Sequence, residues 1–319
     1  MDTLVDIRGL SKSFGPVKAV EGVTFSVKRG EVLGFLGPNG AGKSTTMKML
    51  AGYLTPTAGT ASICGFDIVK QTIDVQRRLG YLPEGAPAYG DLTPLGLMRF
   101  AAGLRGIRGA EREKKIQTSV ERLELQSVLL RPIETLSKGF KRRVSLAQSI
   151  LHDPEVLILD EPTDGLDPNQ KHQVRTLLQQ MAKQKAIIIS THILEEVDAV
   201  CSRVIIIGDG KLLVDERPGQ LEARSAYHNA IVMRMPAGDA EKAEKALSGM
   251  AYVAKVERVG QWDGFAQLRA LAAGGTDILS TVHQAVSKAG VTLQQIHVEH
   301  GRLDDVFRKL TAKSRSKES

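Results

Sequence analysis

The sequence predicts an α/β fold interrupted by a mostly helical insertion and followed by a smaller α+β domain. Three observations carry that expectation. Gly37–Thr45 (GPNGAGKST) lies between an apolar, strand-like run at Glu31–Leu36 and an amphipathic helix at Lys43–Leu50. Unbroken apolar runs at Val156–Leu159 and Ala186–Ser190, each followed by helical periodicity, read as buried strands of a parallel sheet. Beyond Ser225 the pattern becomes βαββαβ, the order of a small ferredoxin-like sheet.

At 319 residues the chain is long enough for more than one domain. Hydrophobic residues make up 42% and charged ones 25%, the balance of a soluble globular protein. No apolar run approaches the length of a membrane span, and MDTLVDIRGL lacks the basic start and apolar core of a signal peptide. Cys64 and Cys201 give neither a disulfide framework nor a metal-ligand spacing, which fits a cytosolic setting. The net charge of +7 suits an anionic surface but mostly reflects solvated side chains.

In chain order, Leu4–Arg8 and Val23–Val27 alternate as strands do, around a turn at Phe14-Gly15-Pro16. Phe14 could stack on a base, or it is a core or loop phenylalanine. In the glycine-rich loop, Gly37, Gly40 and Gly42 let backbone N–H groups turn onto an anion, with Asn39 and Thr45 in the same cradle. Lys43 can reach the outer phosphates of a nucleoside triphosphate, and the Ser44 hydroxyl can ligate Mg²⁺. Thr60–Cys64 is a short strand, and Arg78–Glu84 another that ends on Pro83-Glu84. Helical periodicity at Leu95–Leu104, Glu111–Leu125 and Phe140–Leu151 makes the insertion, about residues 86–152. Arg105–Lys115 within it is a solvated loop or, alternatively, a basic patch. Ser137 and Gly139 open the third of these helices, either as an ordinary N-cap or as a second anion site.

Asp160-Glu161 closes the VLIL strand at the edge where open α/β sheets bind ligands. Asp160 is placed to hold hydrated Mg²⁺ and Glu161 to orient or deprotonate a water. A turn-rich loop, Pro162–Pro168, leads to a helix at Asn169–Lys183. His192 follows the strand Ala186–Ser190 and can donate a hydrogen bond to a terminal phosphate. Val204–Ile207 and Lys211–Val214 form a hairpin that closes the first domain, residues 1–222.

Five motifs in this order, GPNGAGKST, YLPE, LSKGF, VLILDEP with DGLD, and THILEE, resemble the ATP-binding subunit of an ABC transporter over roughly residues 3–222. The resemblance implies a P-loop NTPase fold of ABC ATPase type that binds ATP and Mg²⁺. It implies that Gly37–Thr45 is the Walker A loop, Phe14 the adenine-stacking position and Leu136–Phe140 the signature motif. It likewise implies that Asp160 is the Walker B aspartate, Glu161 the catalytic carboxylate, Asp164–Asp167 the D-loop and His192 the switch histidine. In such proteins two copies associate head to tail, and Ser137 and Gly139 of one complete the ATP site of the other. Glu84 stands where a glutamine usually ligates the metal, Lys138 replaces a glycine, Phe140 a glutamine and Asp164 a small residue. These departures look like those of the gliding-motility and multidrug-export branch. An integral permease on separate chains is then implied, contacted around Glu84–Leu92 and the helical insertion, on the cytoplasmic face of the membrane. The alternative is a soluble ABC-type ATPase of translation, repair or cofactor assembly.

In the second domain, 226–311, strands are expected at Asn229–Met235, Tyr252–Val259, Gly264–Ala270 and Val291–His297. Helices are expected at Asp239–Leu247, Thr276–Lys288 (capped by Thr276) and Leu303–Leu310. With few aromatic residues on its strands, this domain reads as a regulatory or interaction module, and no nucleic-acid partner is expected. The tail, 312–319, is polar and basic and reads as disordered.

Overall fold

The N-terminal alternation extends into a long hairpin, β1 (Thr3–Phe14) with β2 (Val17–Lys28). Both strands outrun their expected bounds because the register shifts between Ile7 and Leu10, at Gly9, and again between Leu10 and Lys12, opposite Gly22; both glycines take positive φ and break the period. β3 (Val32–Leu36) is buried at every residue and leads through the glycine-rich loop into α1 (Lys43–Leu50). β4 (Ala58–Ile63) and β5 (Phe66–Asp67) complete an antiparallel sheet of order β2-β1-β4-β5. The computed structural model describes residues 2–85 and 89–315.

A helix not expected from the sequence, α2 (Thr72–Arg78), buries only Val75 and so shows no apolar stripe. β6 (Leu79–Leu82) follows, and then the helical insertion: α3 (Pro94–Leu104), α4 (Gly109–Arg122) and α5 (Lys138–Ile150). The expected start of that insertion, residues 86–88, lies outside the described residues. Thr93 caps α3 by accepting from the Gly96 N–H at 3.1 Å, with Pro94 at its first position.

β7 (Val156–Asp160), α6 (Pro168–Ala182), β8 (Ala186–Thr191), α7 (Leu194–Val200), β9 (Arg203–Gly208) and β10 (Lys211–Glu216) finish the first unit. The main sheet runs β10-β9-β3-β8-β7-β6 and is parallel except for the β9/β10 hairpin. β3, β7 and β8 are covered on both faces, which is why their sequences are unbroken apolar runs. Their adjacent carboxyl ends present the glycine-rich loop, Thr191-His192 and Asp160-Glu161 side by side, with Leu36 opposite Thr191 and Asp160 opposite Ser190.

The chain divides after Glu216, and Arg217–Lys313 forms a second unit. Its first helix, α8 (Pro218–Glu222), lies inside the stretch that the sequence assigns to the first domain. The Glu222 carbonyl packs so closely on Gly301 that no Cβ would fit there, and Asp305 lies 3.4 Å from both Ser225 Oγ and the Ala226 N–H. Those contacts hold α8 and the following turn to the second unit.

The unit continues with β11 (Ala230–Pro236), α9 (Ala240–Leu247), β12 (Val253–Trp262), β13 (Phe265–Ala272), α10 (Leu279–Lys288), β14 (Gln295–Glu299) and α11 (Leu303–Arg315). The order β12-β13-β11-β14, antiparallel throughout, fits a ferredoxin-like sheet. Alternate residues Ile231, Met233 and Met235 pack with Ala243 and Leu247 of α9 and Val282 and Val286 of α10, so both helices cover one face.

Three expectations need correction here. Thr276 does not cap α10: its hydroxyl donates back to Ala273 O, and Asp277 accepts from the Leu279 N–H at 3.0 Å instead. Val291 is not a strand residue, because its N–H closes α10 on Val286 O after Gly290 at φ 71, and β14 begins at Gln295. The tail is not irregular from residue 312. α11 runs to Arg315, helped by Asp304–Arg308 and Asp305–Lys309 pairs one turn apart; residues 316–319 lie outside the described residues.

Candidate functional site

The glycines of the first loop are fixed by packing as well as by dihedral angle. A Cβ at Gly37 would fall 2.5 Å from Ile207 O, and one at Gly42, at φ 101, would fall 2.4 Å from Ala19 O. Gly40, at φ 81, and Asn39 lie at the exposed tip, and Ser44 and Thr45 are half-buried in the first turn of α1. Gly42 occupies the N-cap position and so offers no capping side chain, leaving first-turn N–H groups free to meet an anion. Lys43 is 8% exposed, and its ammonium donates to Gly37 O at 2.7 Å and Pro38 O at 3.2 Å. Burial holds its pKa below the ordinary lysine value, opposed by the carboxylates of Glu161, Asp160 and Glu84.

Across the sheet edge, Asp160 is 1% exposed. Its Oδ1 accepts from Ser190 Oγ, and its Oδ2 is buried without a hydrogen-bond partner among the described residues. A buried carboxylate oxygen left free in this way has the chemistry of a hard ligand. Glu161 takes a left-handed backbone conformation, φ 52, which for a side chain with a Cβ costs on the order of 1 kcal/mol or more. The turn is pinned where the Glu161 N–H donates to Ser190 O at 2.8 Å. The carboxylate lies 2.7 Å from His192 Nδ1 and 3.3 Å from Thr191 Oγ1. Burial raises the Glu161 pKa, with the His192 hydrogen bond and the Lys43 charge opposing. A carboxylate whose pKa is raised in this way is a stronger base than an ordinary solvated glutamate.

His192 is largely exposed, so one ring nitrogen meets Glu161 and the other faces outward. Behind these groups, buried Glu196 accepts from Thr163 Oγ1 and lies 3.1 Å from Thr191 Oγ1, tying the loop after β7 to the end of β8.

The other expected residues lie as follows. Phe14 is 49% exposed with Lys12 Nζ 5.2 Å from its ring centroid, which removes the core reading. Glu84 is exposed directly after Pro83 at the end of β6. Ser137 is exposed and caps α5 by accepting from the Phe140 N–H at 3.3 Å. Gly139 is buried, and a Cβ there would meet Gln170 Oε1 at 2.8 Å and Gly165 O at 3.2 Å. Asp167 caps α6 through the Gln170 N–H at 2.9 Å. Lys138 and Asp164, both departures from the usual motifs, form an ion pair of 2.8 Å. The partners of Ser137, Gly139 and Asp167 are thus one another's neighbours, and none belongs to Gly37–Thr45.

Sequence reasoning passed over Ser190, Thr191, Glu196 and Arg142. Ser190 ends the expected strand and Thr191 stands with His192 at an expected helix start, but Thr191 ends β8 and α7 begins only at Leu194; their placement opposite Asp160 and Leu36 needs the parallel register.

A family profile described as ABC transporter matches residues 20–164. The Probable multidrug ABC transporter ATP-binding protein YbhF of Escherichia coli (strain K12) is 38% identical over 226 residues. That is 70% of this chain and 39% of that protein, so the chain spans less than half its length. The Uncharacterized ABC transporter ATP-binding protein YxlF of Bacillus subtilis (strain 168) is 31% identical over 96% of this chain and 99% of its own. A solved structure of an ATP binding subunit of an ABC transporter is similar with TM-score 0.65 and 31% identity, over 69% of this chain and 92% of that one.

Proposed function

This chain belongs to the ABC transporter family as an ATP-binding subunit, and from that premise we propose that it hydrolyses ATP to power export through a permease on separate chains. The observation that carries the reading is the convergence of Lys43, the free Oδ2 of Asp160 and the Glu161–His192 pair at neighbouring strand ends. Asp160 and the Ser44 hydroxyl would hold Mg²⁺, with Glu84 as a third oxygen donor. Bound there, Mg²⁺ supplies charge neutralisation at the outer phosphates. Loop N–H groups and Lys43 bind those phosphates, Phe14 offers an exposed ring to the base, and Glu161 orients and deprotonates the attacking water. His192, held beside Glu161 and largely exposed, donates to the terminal phosphate.

Ser137 and Gly139, whose neighbours lie on α5, α6 and the loop before α6 and not on Gly37–Thr45, serve the nucleotide of a second copy, with Asp167 joined to them through Gln170. Two chains therefore act as a homodimer at the cytoplasmic face of the inner membrane, held there peripherally by the permease. No described helix is long and apolar enough to cross a membrane. The second unit is a regulatory or interaction module with no nucleic-acid role.

For the permease, a groove of about 670 Å³ between the α2–β6 region and the helical insertion is lined by Tyr53, Ile73, Tyr81, Pro83, Leu104 and Arg105. Tyr53 is 70% exposed and Leu104 74%, an apolar pair open to a partner helix. Part of the segment expected to contact the permease, residues 86–88, lies outside the described residues. Leu104→Glu should abolish co-purification with the polytopic partner while leaving nucleotide binding within about twofold, since Leu104 is remote in sequence and role from the phosphate loop. Undiminished co-purification would remove the groove from the reading. A wild-type chain that captures no membrane protein at all would favour the soluble ATPase instead.

A further inference from the structure

Arg142 lies early in α5, 5% exposed, and reaches from its own helix to three carbonyl groups on other segments. Its Nη1 donates to Pro83 O at 2.8 Å. Its Nη2 donates to Glu161 O at 2.6 Å and to Asp160 O. Buried arginines are ordinarily paired with carboxylates. This one has no carboxylate ion pair among the described residues and commits its donors to backbone, with Nε buried and unpartnered.

We infer that Arg142 is a positioning residue for hydrolysis, fixing the peptide groups on both sides of Glu161 and tying them to the Ser137 helix and the Pro83-Glu84 segment. The inference rests on the reading of Glu161 as the base and of Ser137 as the face offered to a second copy. The Asp160 carbonyl belongs to the peptide before the Glu161 Cα and the Glu161 carbonyl to the peptide after it. Together with φ 52, those two planes set the direction of the Cα–Cβ bond, and so the place of the carboxylate beside His192. The turn is therefore gripped from two sides, by Ser190 O through the Glu161 N–H and by the guanidinium through the carbonyls. A shift of α5, whose first residues meet the partner's nucleotide, moves the same guanidinium that holds Glu161. A pull on Pro83 from the permease side does likewise. One planar group thus joins both exposed faces to the reacting carboxylate. Lysine, a single ammonium on a flexible stem, keeps the charge but cannot span three carbonyls as a fork does.

The test uses Arg142→Met and Arg142→Lys in the full chain, each also combined with Glu161→Gln. Affinity for a fluorescent ATP analogue with Mg²⁺ and steady-state kcat and KM are read for all. Arg142→Met should lower kcat by about tenfold to a hundredfold with KM and analogue affinity within about twofold, and Arg142→Lys should recover part of the loss. Neither change should lower the residual rate of Glu161→Gln further, because both act through one carboxylate. The inference is overturned if kcat is retained in a variant that binds the analogue normally. It is equally overturned if affinity falls in step with kcat, or if the two losses multiply. Should Arg142→Met bind no analogue through misfolding, Arg142→Lys decides by the same criteria. If Glu161→Gln alone keeps near-normal turnover, it is the assignment of the base that fails, and this inference fails with it.

Discussion

Glu161→Gln should leave ATP binding intact, accumulate an ATP-bound dimer and lower turnover by about two to four orders of magnitude, the range that a general base contributes. The amide keeps the size of the side chain and can still meet Thr191 and His192, so the turn itself is undisturbed. What disappears is the proton acceptor. The pH dependence gives an independent reading of the same group. Burial raises the Glu161 pKa above the ordinary 4.5, so the acid limb of wild-type kcat should fall at a higher pH than an unperturbed glutamate gives. As pH drops through that raised value the carboxylate is protonated and the base is lost. The residual activity of Glu161→Gln should lack that limb. Phosphate release across pH, with molar mass measured by light scattering in ATP, checks both points. Turnover near the wild-type level would remove Glu161 from the role of base.

The parts of this site that could be read from the sequence are those whose neighbours along the chain determine them. β3, β7 and β8 are buried on both faces, so their apolar runs needed no knowledge of their partners, and the polar residues that end them fall at the ligand edge. Gly42 and Lys43 belong to one local turn. Arg142, Ser190 and Glu196 were not legible, because each matters through segments far away in sequence. An arginine on the buried face of a helix that otherwise reads as amphipathic is a signal of such a role, but only the fold shows which carbonyls it meets. The division after Glu216 was hidden for a related reason. Arg217–Ser225 has the composition of a linker, yet Glu222 and Ser225 are held by Gly301 and Asp305, some eighty positions on. α2 escaped because only Val75 is buried, and a single apolar residue has no period.

Lys43→Ala acts one step earlier than Glu161→Gln, on binding. The ammonium is buried, directed at the loop carbonyls by bonds of 2.7 and 3.2 Å, and its pKa is depressed chiefly by desolvation. A desolvated cation on this loop interacts strongly with phosphate oxygens, and a charge-assisted hydrogen bond is worth about 1.5–3 kcal/mol. Removing it should weaken Mg²⁺-ATP binding roughly tenfold to a hundredfold. The loop should survive, since its shape rests on Gly37 and Gly42 packed against Ile207 and Ala19 rather than on the lysine. Titration with a fluorescent nucleotide beside a thermal melt separates lost affinity from lost fold. The substitution should also reach Glu161. Lys43 is among the charges that hold the Glu161 pKa down, so its loss should move the acid limb of whatever turnover remains to still higher pH. Unchanged nucleotide affinity would end the phosphate role given to Lys43. An acid limb that stayed in place would show that the ammonium and the carboxylate do not share one electrostatic site.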